Sequence, residues 1–432
     1  MSVEFVGDYS LKSVVLRKNK QDTDIKDLVT EINIYSSVNS VAISADMVIS
    51  DNKDLLSSLP IVGGEEIFIE IGTNDTKYTI PFVLYKIDAK VQQEKSQVYI
   101  MRLCTADTLK NETSRYSVRH NNQYSENIVK DLLVNRLKTD KPIEVDKTIY
   151  PFNFVNPNWR IFDTCQWLAR KSAPRQNVES AGFLFYETLR GYHFKSIDNL
   201  FSRRSENENK PFTYVAAKTN TKSDKNYRIF KYVSGEKYFD VLEEIRIGSL
   251  AHYTQKIDLT QRKMSLNKSS ISSVWNNMSH LGGGSIPIDI SNDLINRPSR
   301  IIYSPIINNL FGDSTVYDED ADKINKLVDR SSYRYNSMDY YTIDCEIAGN
   351  LAVEVGKIYT LLFPSQNSDS SNDRNRIKND NLSGNWMAHS LKTTINRTNA
   401  TTIVRFCRDS NGVSTKNTII SAEIETPLFN IG

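Results

Sequence analysis

One pattern returns almost three hundred positions after its first appearance. Asp46-Met47-Val48-Ile49-Ser50-Asp51-Asn52 and Asp344-Cys345-Glu346-Ile347-Ala348-Gly349-Asn350 share the form D-x-x-I-x-x-N at an offset of 298. Val62-Gly63 ahead of Ile67-Phe68-Ile69 is matched by Val355-Gly356 ahead of Ile358-Tyr359-Thr360-Leu361, at an offset of 293. Ile100-Met101-Arg102-Leu103-Cys104 is matched by Ile403-Val404-Arg405-Phe406-Cys407, at 303. Three matches in one order at a nearly constant offset predict an internal duplication, which constrains a fold more than any local motif. Two copies of one unit are expected, the second split by a long insertion.

The unit is predicted to be β. Lys12–Arg17, Val29–Tyr35, Val41–Ile49, Glu66–Ile71, Pro81–Ile87 and Gln97–Leu103 alternate apolar and polar residues. Turn clusters separate several of them: Asp51-Asn52-Lys53, Gly63-Gly64 and Gly72-Thr73-Asn74-Asp75. Short strands with regular turn signals imply an antiparallel barrel or sandwich. The period then changes. Ser125, as N-cap, precedes an amphipathic helix from Glu126 to Leu137, and Trp159–Lys171 reads as a second helix before Pro174. A hairpin follows, Gly182–Glu187 and Tyr192–Ile197, turning at Arg190-Gly191.

The polar run Ser202–Lys210 reads as a solvated boundary, and strand patterns resume at Val241–Ile247. Residues 260–335 are weakly patterned, with a flexible Gly282-Gly283-Gly284-Ser285 and a helix at Asp320–Arg330. Strands return from Tyr340 to Phe406, interrupted by a long polar loop, Ser365–Ser383, expected to be mobile. The fold class is therefore α+β, mainly β. It comprises two similar antiparallel β-barrel-like domains, the second split, an inserted α/β domain and a smaller peripheral domain. The boundaries expected are 1–108 for the first ring domain and 109–206 for the α/β insertion. The second ring domain takes 207–256 and 337–412 around a peripheral insertion, 257–336. A C-terminal segment, 413–432, is expected to pack on the peripheral part.

Composition narrows the function classes. The 432 residues carry 54 basic and 52 acidic side chains, a net charge of +2, which gives no global reason to expect a nucleic-acid binder. The start has neither a cationic lead-in nor an apolar run, so no secretory leader or membrane insertion is expected. Cys104, Cys165, Cys345 and Cys407 form no CxxC and are predicted to be small core residues.

Candidate chemistry is sparse. His120, His193, His252, His280 and His389 are scattered and make no H-x-H or H-E-x-x-H. Asp318, Asp320, Asp322 and Asp329 have the spacing of a calcium loop, but Lys323 stands where that loop needs Gly. They are read as charges stabilising a helix N-terminus. Glu65-Glu66 and Glu243-Glu244 are the candidate carboxylate pairs for glycoside hydrolysis, yet neighbours on a strand face opposite ways. Arg203-Arg204 is offset by Glu206 and Glu208. No catalytic, cofactor-binding or metal-ligating residue is assigned, and no cofactor is expected.

Three segments carry a resemblance to a known family. They are Pro151-Phe152-Asn153-Phe154 through Trp167–Lys171 to Ala181–Glu187, Ile347–Asn350 with Val355–Ile358, and Trp386–Leu391 with Ile403–Asp409. With the domain order, they make the chain resemble the central hub proteins of contractile-phage (myovirus) baseplates, which are related to the hub part of type VI secretion spike proteins. The resemblance covers most of the chain. It implies a non-enzymatic virion protein of the tail baseplate, assembled in the host cytoplasm as a homotrimeric ring with pseudo-sixfold symmetry. The implied partners are a trimeric central spike, often with a lysozyme domain, the tail tube or its initiator, and baseplate wedge proteins. DNA would cross the lumen during genome ejection. Two other readings stand beside it: a peptidoglycan-degrading tail-tip enzyme, and a β-rich host-surface binding protein, for which the 22 tyrosines are the motive.

Overall fold

The computed structural model describes residues 10–72, 77–92, 96–177, 180–214, 227–234, 240–258, 262–306, 327, 329–364, 381–397 and 399–411. The chain opens with seven strands: β1 Ser10–Lys18, β2 Gln21–Asp24, β3 Val29–Ser37, β4 Ser44–Asp51, β5 Glu66–Gly72, β6 Lys77–Gln92 and β7 Gln97–Cys104. The predicted alternation is the physical reason for them. Val14 and Leu16, Ile32 and Ile34, Met47 and Ile49, Ile67 and Ile69, and Met101 and Leu103 are all buried in one core, because successive strand residues face opposite ways. The strands line up as β1-β5-β6-β7-β4-β3, with β2 on the outer edge of β1.

An α/β segment follows, with short strands β8 Arg115–Tyr116, β9 Arg119–Tyr124, β10 Ile143–Val145, β11 Pro151–Val155 and β12 Trp159–Arg160. It ends in the hairpin β13 Phe183–Thr188 and β14 Gly191–Ser196. Its helices are Ser125–Asp131, continuing as a π-turn over Leu132–Arg136, and Ile161–Lys171. Ser125 is not the N-cap: that place falls to Tyr124, and the Ser125 hydroxyl accepts a 2.8 Å bond from Ser172 across the helix pair. Trp159 and Arg160 pair with β8, so the second helix starts at Ile161.

The hairpin is buried on both faces. Phe183 and Phe185 join the α/β core, while Leu184 and Tyr186 join the core of the second barrel. That double burial explains its near-continuous apolar sequence.

The second barrel uses β15 Phe212–Tyr214 and β16 Arg228–Ser234. An intervening sheet has β17 Ala251–Asp258, β18 Lys263–Ser270 and β19 Arg300–Ile306. The barrel resumes with β20 Tyr341–Ala348, β21 Ile358–Leu362, β22 Gly384–Asn396 and β23 Ala400–Arg408. Its order, β15-β21-β22-β23-β20-β16, reproduces that of the first barrel, and pairing of β15 with both β21 and β16 closes it into six strands. The duplication is therefore structural. Asp46 faces Arg102 across β4–β7, and Asp344 faces Arg405 across β20–β23. Bulges recur too, between Leu84 and Lys86 and between Ala388 and Ser390.

The structure changes four expectations. Gly64, not Gly63, is the counterpart of Gly356: Gly64 bonds the Leu84 carbonyl, Gly356 bonds the Ala388 carbonyl, and both have positive φ. Val241–Ile247 is a helix, because Asp240 accepts the Glu243 N–H at its start and Gly248 closes it in the left-handed region. The weakly patterned region holds β18 and β19, which join β17 just ahead of it in one sheet. Its helix is described at 327 and 329–337, while 307–326 lie outside the described residues. The polar run is exposed over most of its length but tethered to the barrel: the Glu206 N–H bonds Ile358, and the buried Asn207 bonds both backbone groups of Thr360. Residues 365–380 and the C-terminal segment from 412 also lie outside the described residues.

Candidate functional site: the barrel joint

The two barrels share one sheet. β3 of the first pairs antiparallel with β22 of the second, from Ser37↔Ser390 to Glu31↔Asn396. Thr394 Oγ1 donates to Asn33 Oδ1 at 2.7 Å across the joint, and Arg397 reaches the carbonyls of Val29 and Asp27. Beside it, a groove of about 310 Å³ is lined by Tyr35, Ser44 and Lys392 together with the second barrel's ion pair, Asp344 and Arg405. Arg405 grips Asp344 with Nε and Nη2 at 2.8 and 3.0 Å. Arg102 bonds Asp46 as well as Asp88, so the first barrel sets two carboxylates on one guanidinium.

The β13–β14 hairpin braces this joint from outside. Glu187 accepts the Ile43 N–H at 3.0 Å, from the link between β3 and β4, and bonds Lys141 and Thr105. Asp107 sits on the other side of Lys141, 3.6 Å away, and accepts from Tyr192 and Thr139. Burial raises the Glu187 pKa against the pull of Lys141. Burial also pushes Asp107 upward, but Thr139, Lys141 and Lys110 outweigh it and its pKa falls. Sequence reasoning missed this carboxylate pair, whose members are eighty residues apart with no shared motif. Its carboxylates differ as an acid and a base would, but Lys141 fills the space between them and protein groups satisfy both. The arrangement holds elements together.

The predicted candidates scatter over the fold. Glu65 is buried and Glu66 exposed, facing opposite ways as their adjacency dictates. Burial pushes Glu65 upward, yet the N–H groups of Val62, Glu65 and Gly63 and the Lys18 ammonium bring its pKa below the ordinary value. Glu244 is buried on Ser249 while Glu243 is exposed. His193 stacks on Tyr186 and contacts Thr188, and burial lowers its pKa to about 4. Burial likewise lowers His389, which meets Asn39. His120 stacks on Phe154, His252 meets Gly248 and Asp329, and His280 lies between Asp409 and the Trp275 carbonyl. Asp318, Asp320 and Asp322 lie outside the described residues, whereas Asp329 is buried on Thr254. Among the described residues no three His, Cys, Asp or Glu side chains gather as a metal site.

The glycine run is held: Gly282 and Gly283 bond Ser410 and Asn411, and Trp275 donates to Gly284. All four cysteines are free and buried. Among the described tyrosines, Tyr99, Tyr116, Tyr186, Tyr192, Tyr333 and Tyr359 lie in cores, while Tyr78, Tyr85 and Tyr303 are exposed. No helix among the described residues is long and apolar enough to cross a membrane.

No family model matches the chain, and no curated protein matches it. Solved structures do. A tail protein from Neisseria meningitidis aligns over 93% of this chain and 97% of its own, at 10% identity and a TM-score of 0.52. The 43 kDa tail protein of prophage MuSo2 from Shewanella oneidensis aligns over 92% and 98%, at 10% identity and a TM-score of 0.51. The resemblance expected from the sequence thus holds at the level of the fold, which is that of phage tail proteins along nearly the whole chain.

Proposed function

We propose that this chain is a structural, non-enzymatic hub of a phage tail baseplate, assembled as a trimeric ring of six barrels. The observation that carries the reading is the duplication joined through one continuous sheet at β3–β22. Two like modules per chain let three chains present threefold symmetry to a spike and near-sixfold symmetry to a tube, and closed cyclic symmetry is the ordinary route to such a ring. In this reading the modules are residues 1–108 and the strands β15, β16 and β20–β23. The α/β segment 109–206 and the β17–β19 sheet lie outside the ring. DNA passes through the lumen at ejection, and the balanced charge of +2 suits a surface that should not hold phosphates, whose affinity grows with cationic contacts. The spike, tube initiator and wedge proteins are its partners, and the virion tail is its place.

Light scattering on the purified full chain at micromolar concentration tests the assembly. The expected mass is three times the 49.4 kDa chain, with a ring in negative-stain images. A monomer that persists with the co-expressed spike protein overturns the reading.

A further inference from the structure

The internal joint has two halves, and each has a counterpart on the other barrel. β16 corresponds to β3: Val29 faces Ile49 and Ile229 faces Ile347, and a bulge follows in both strands before Glu31 and Lys231. β6 corresponds to β22 through the shared bulge before Lys86 and Ser390. In the chain, the free edge of β3 takes the free edge of β22. The complementary edges stay open. Among the described residues nothing pairs with the outer edge of β6 after Leu84, and no strand pairs with the outer edge of β16 after Ile229. Open edges of this kind are templates for pairing with another chain.

We propose that β16 of one copy pairs antiparallel with β6 of the next, repeating between chains the joint that β3 and β22 make within one. The inference rests on the ring reading and adds the residues of its interface. The register follows from the duplication. Thr394 faces Thr401, four residues before Arg405, and Val91 faces Val98, four residues before Arg102. Asn33 faces Asp46, and Val233 faces Asp344. Since Thr394 meets Asn33 inside the chain, their counterparts Val91 and Val233 meet between chains. Both side chains have the chemistry this needs. Val91 is 56% and Val233 54% exposed, two β-branched apolar residues on separate bare edges, where the internal joint has a hydrogen-bonded Thr–Asn pair. Such residues favour cross-strand packing and are poor choices for an edge left in water. The contact is head-to-tail, the type that generates rings when its rotation closes.

The test uses the full chain with Val91→Cys and Val233→Cys together, oxidised by copper-phenanthroline and run without reductant. The four native cysteines are buried and serve as a silent background. The expected result is a covalent ladder that stops at three chains, with an equimolar mixture of the two single variants stopping at two. Val91→Asp should weaken the trimer at least tenfold, and adding Val233→Lys should restore it. A wild-type trimer that neither cross-links nor responds to Val91→Asp overturns this pairing and leaves the ring reading standing. A wild-type monomer overturns both, and a ladder running beyond three chains overturns closure.

Discussion

The two barrels share strand order, bulges and ion pairs, but they are connected very differently. In the first, β3 reaches β4 through residues 38–43; in the second, the equivalent strands β16 and β20 are separated by residues 235–340. The same fold survives because closing a longer loop costs only logarithmically more entropy and the inserted chain packs onto the barrel's own core. The price appears elsewhere. The first barrel's core takes in only Ala348, Ile395 and Ala400 from the joined second barrel, whereas the second shares one core with the hairpin, the β17–β19 region and the 329–337 helix. The second barrel therefore depends on braces that the first lacks.

The strongest brace is Arg334. Fully buried, it bonds Asp409 at 3.1 Å and the Ser279 carbonyl at 2.7 Å, and lies over the Phe201 ring. Asp409 follows β23; the corresponding residue of the first barrel is the apolar Ala106. Arg334→Ala takes the cation from a buried pair, leaving Asp409 to His280 and the Leu281 N–H, and should cost about 3–5 kcal/mol, read as a lower urea midpoint. Burial pushes the Asp409 pKa up, but His280, Arg334 and the Leu281 N–H bring it below the ordinary value. That stabilisation is complete above the unfolded carboxylate pKa of about 4 and is lost as pH falls through the lower folded value. In Arg334→Ala the folded Asp409 pKa moves back up, so this acid-dependent loss of stability should shrink. An unchanged midpoint would mean that the second barrel stands without its brace.

Equivalent glycines sharpen the contrast. Gly64 and Gly356 have φ of +89° and +76°, but a Cβ at Gly64 meets nothing within 4 Å, while one at Gly356 comes within 2.1 Å of the Tyr186 hydroxyl. Gly64→Ala pays backbone strain alone, about 1 kcal/mol. Gly356→Ala adds overpacking against the hairpin and should cost about 3 kcal/mol. Equal melting shifts would show that Tyr186 yields freely and that the hairpin is not wedged against the barrel.

The difference between barrels also explains what could be read in advance. The first barrel was legible because its strands alternate cleanly, burying one face of each in a single core. β16 was not, because Phe230 and Val233 are apolar on its exposed side and spoil the period. The β17–β19 sheet hides for a related reason. It buries His252, Thr254 and Lys256 and exposes Met264, Leu266, Ile301 and Tyr303, the reverse of the pattern by which strands are recognised. At Val241–Ile247 the caps Asp240 and Gly248 outweighed a misleading strand-like run. The joint was half legible: Asp46 with Asp344, and Arg102 with Arg405, already stood in matched segments. Their recurrence as acid and base was a signal that they face each other.

Those ion pairs give the smallest and most selective comparison. Asp344 takes two nitrogens of Arg405, and both side chains are about one-third exposed. Asp344→Asn removes the charge from a pair of the kind worth about 0.5 kcal/mol. In the first barrel Arg102 binds Asp46 and Asp88 together, so Asp88→Asn leaves the cation paired with Asp46 across β4–β7. Its urea midpoint should move less than that of Asp344→Asn, and both differences should shrink in high salt, which screens exposed charges. Asp88 also pairs with Lys86 at 2.7 Å, so a larger loss from Asp88→Asn would mean that the charges of β6, Lys86 included, outweigh the duplicated β4–β7 pair. The ion pairs of the two barrels would then share positions without sharing a role.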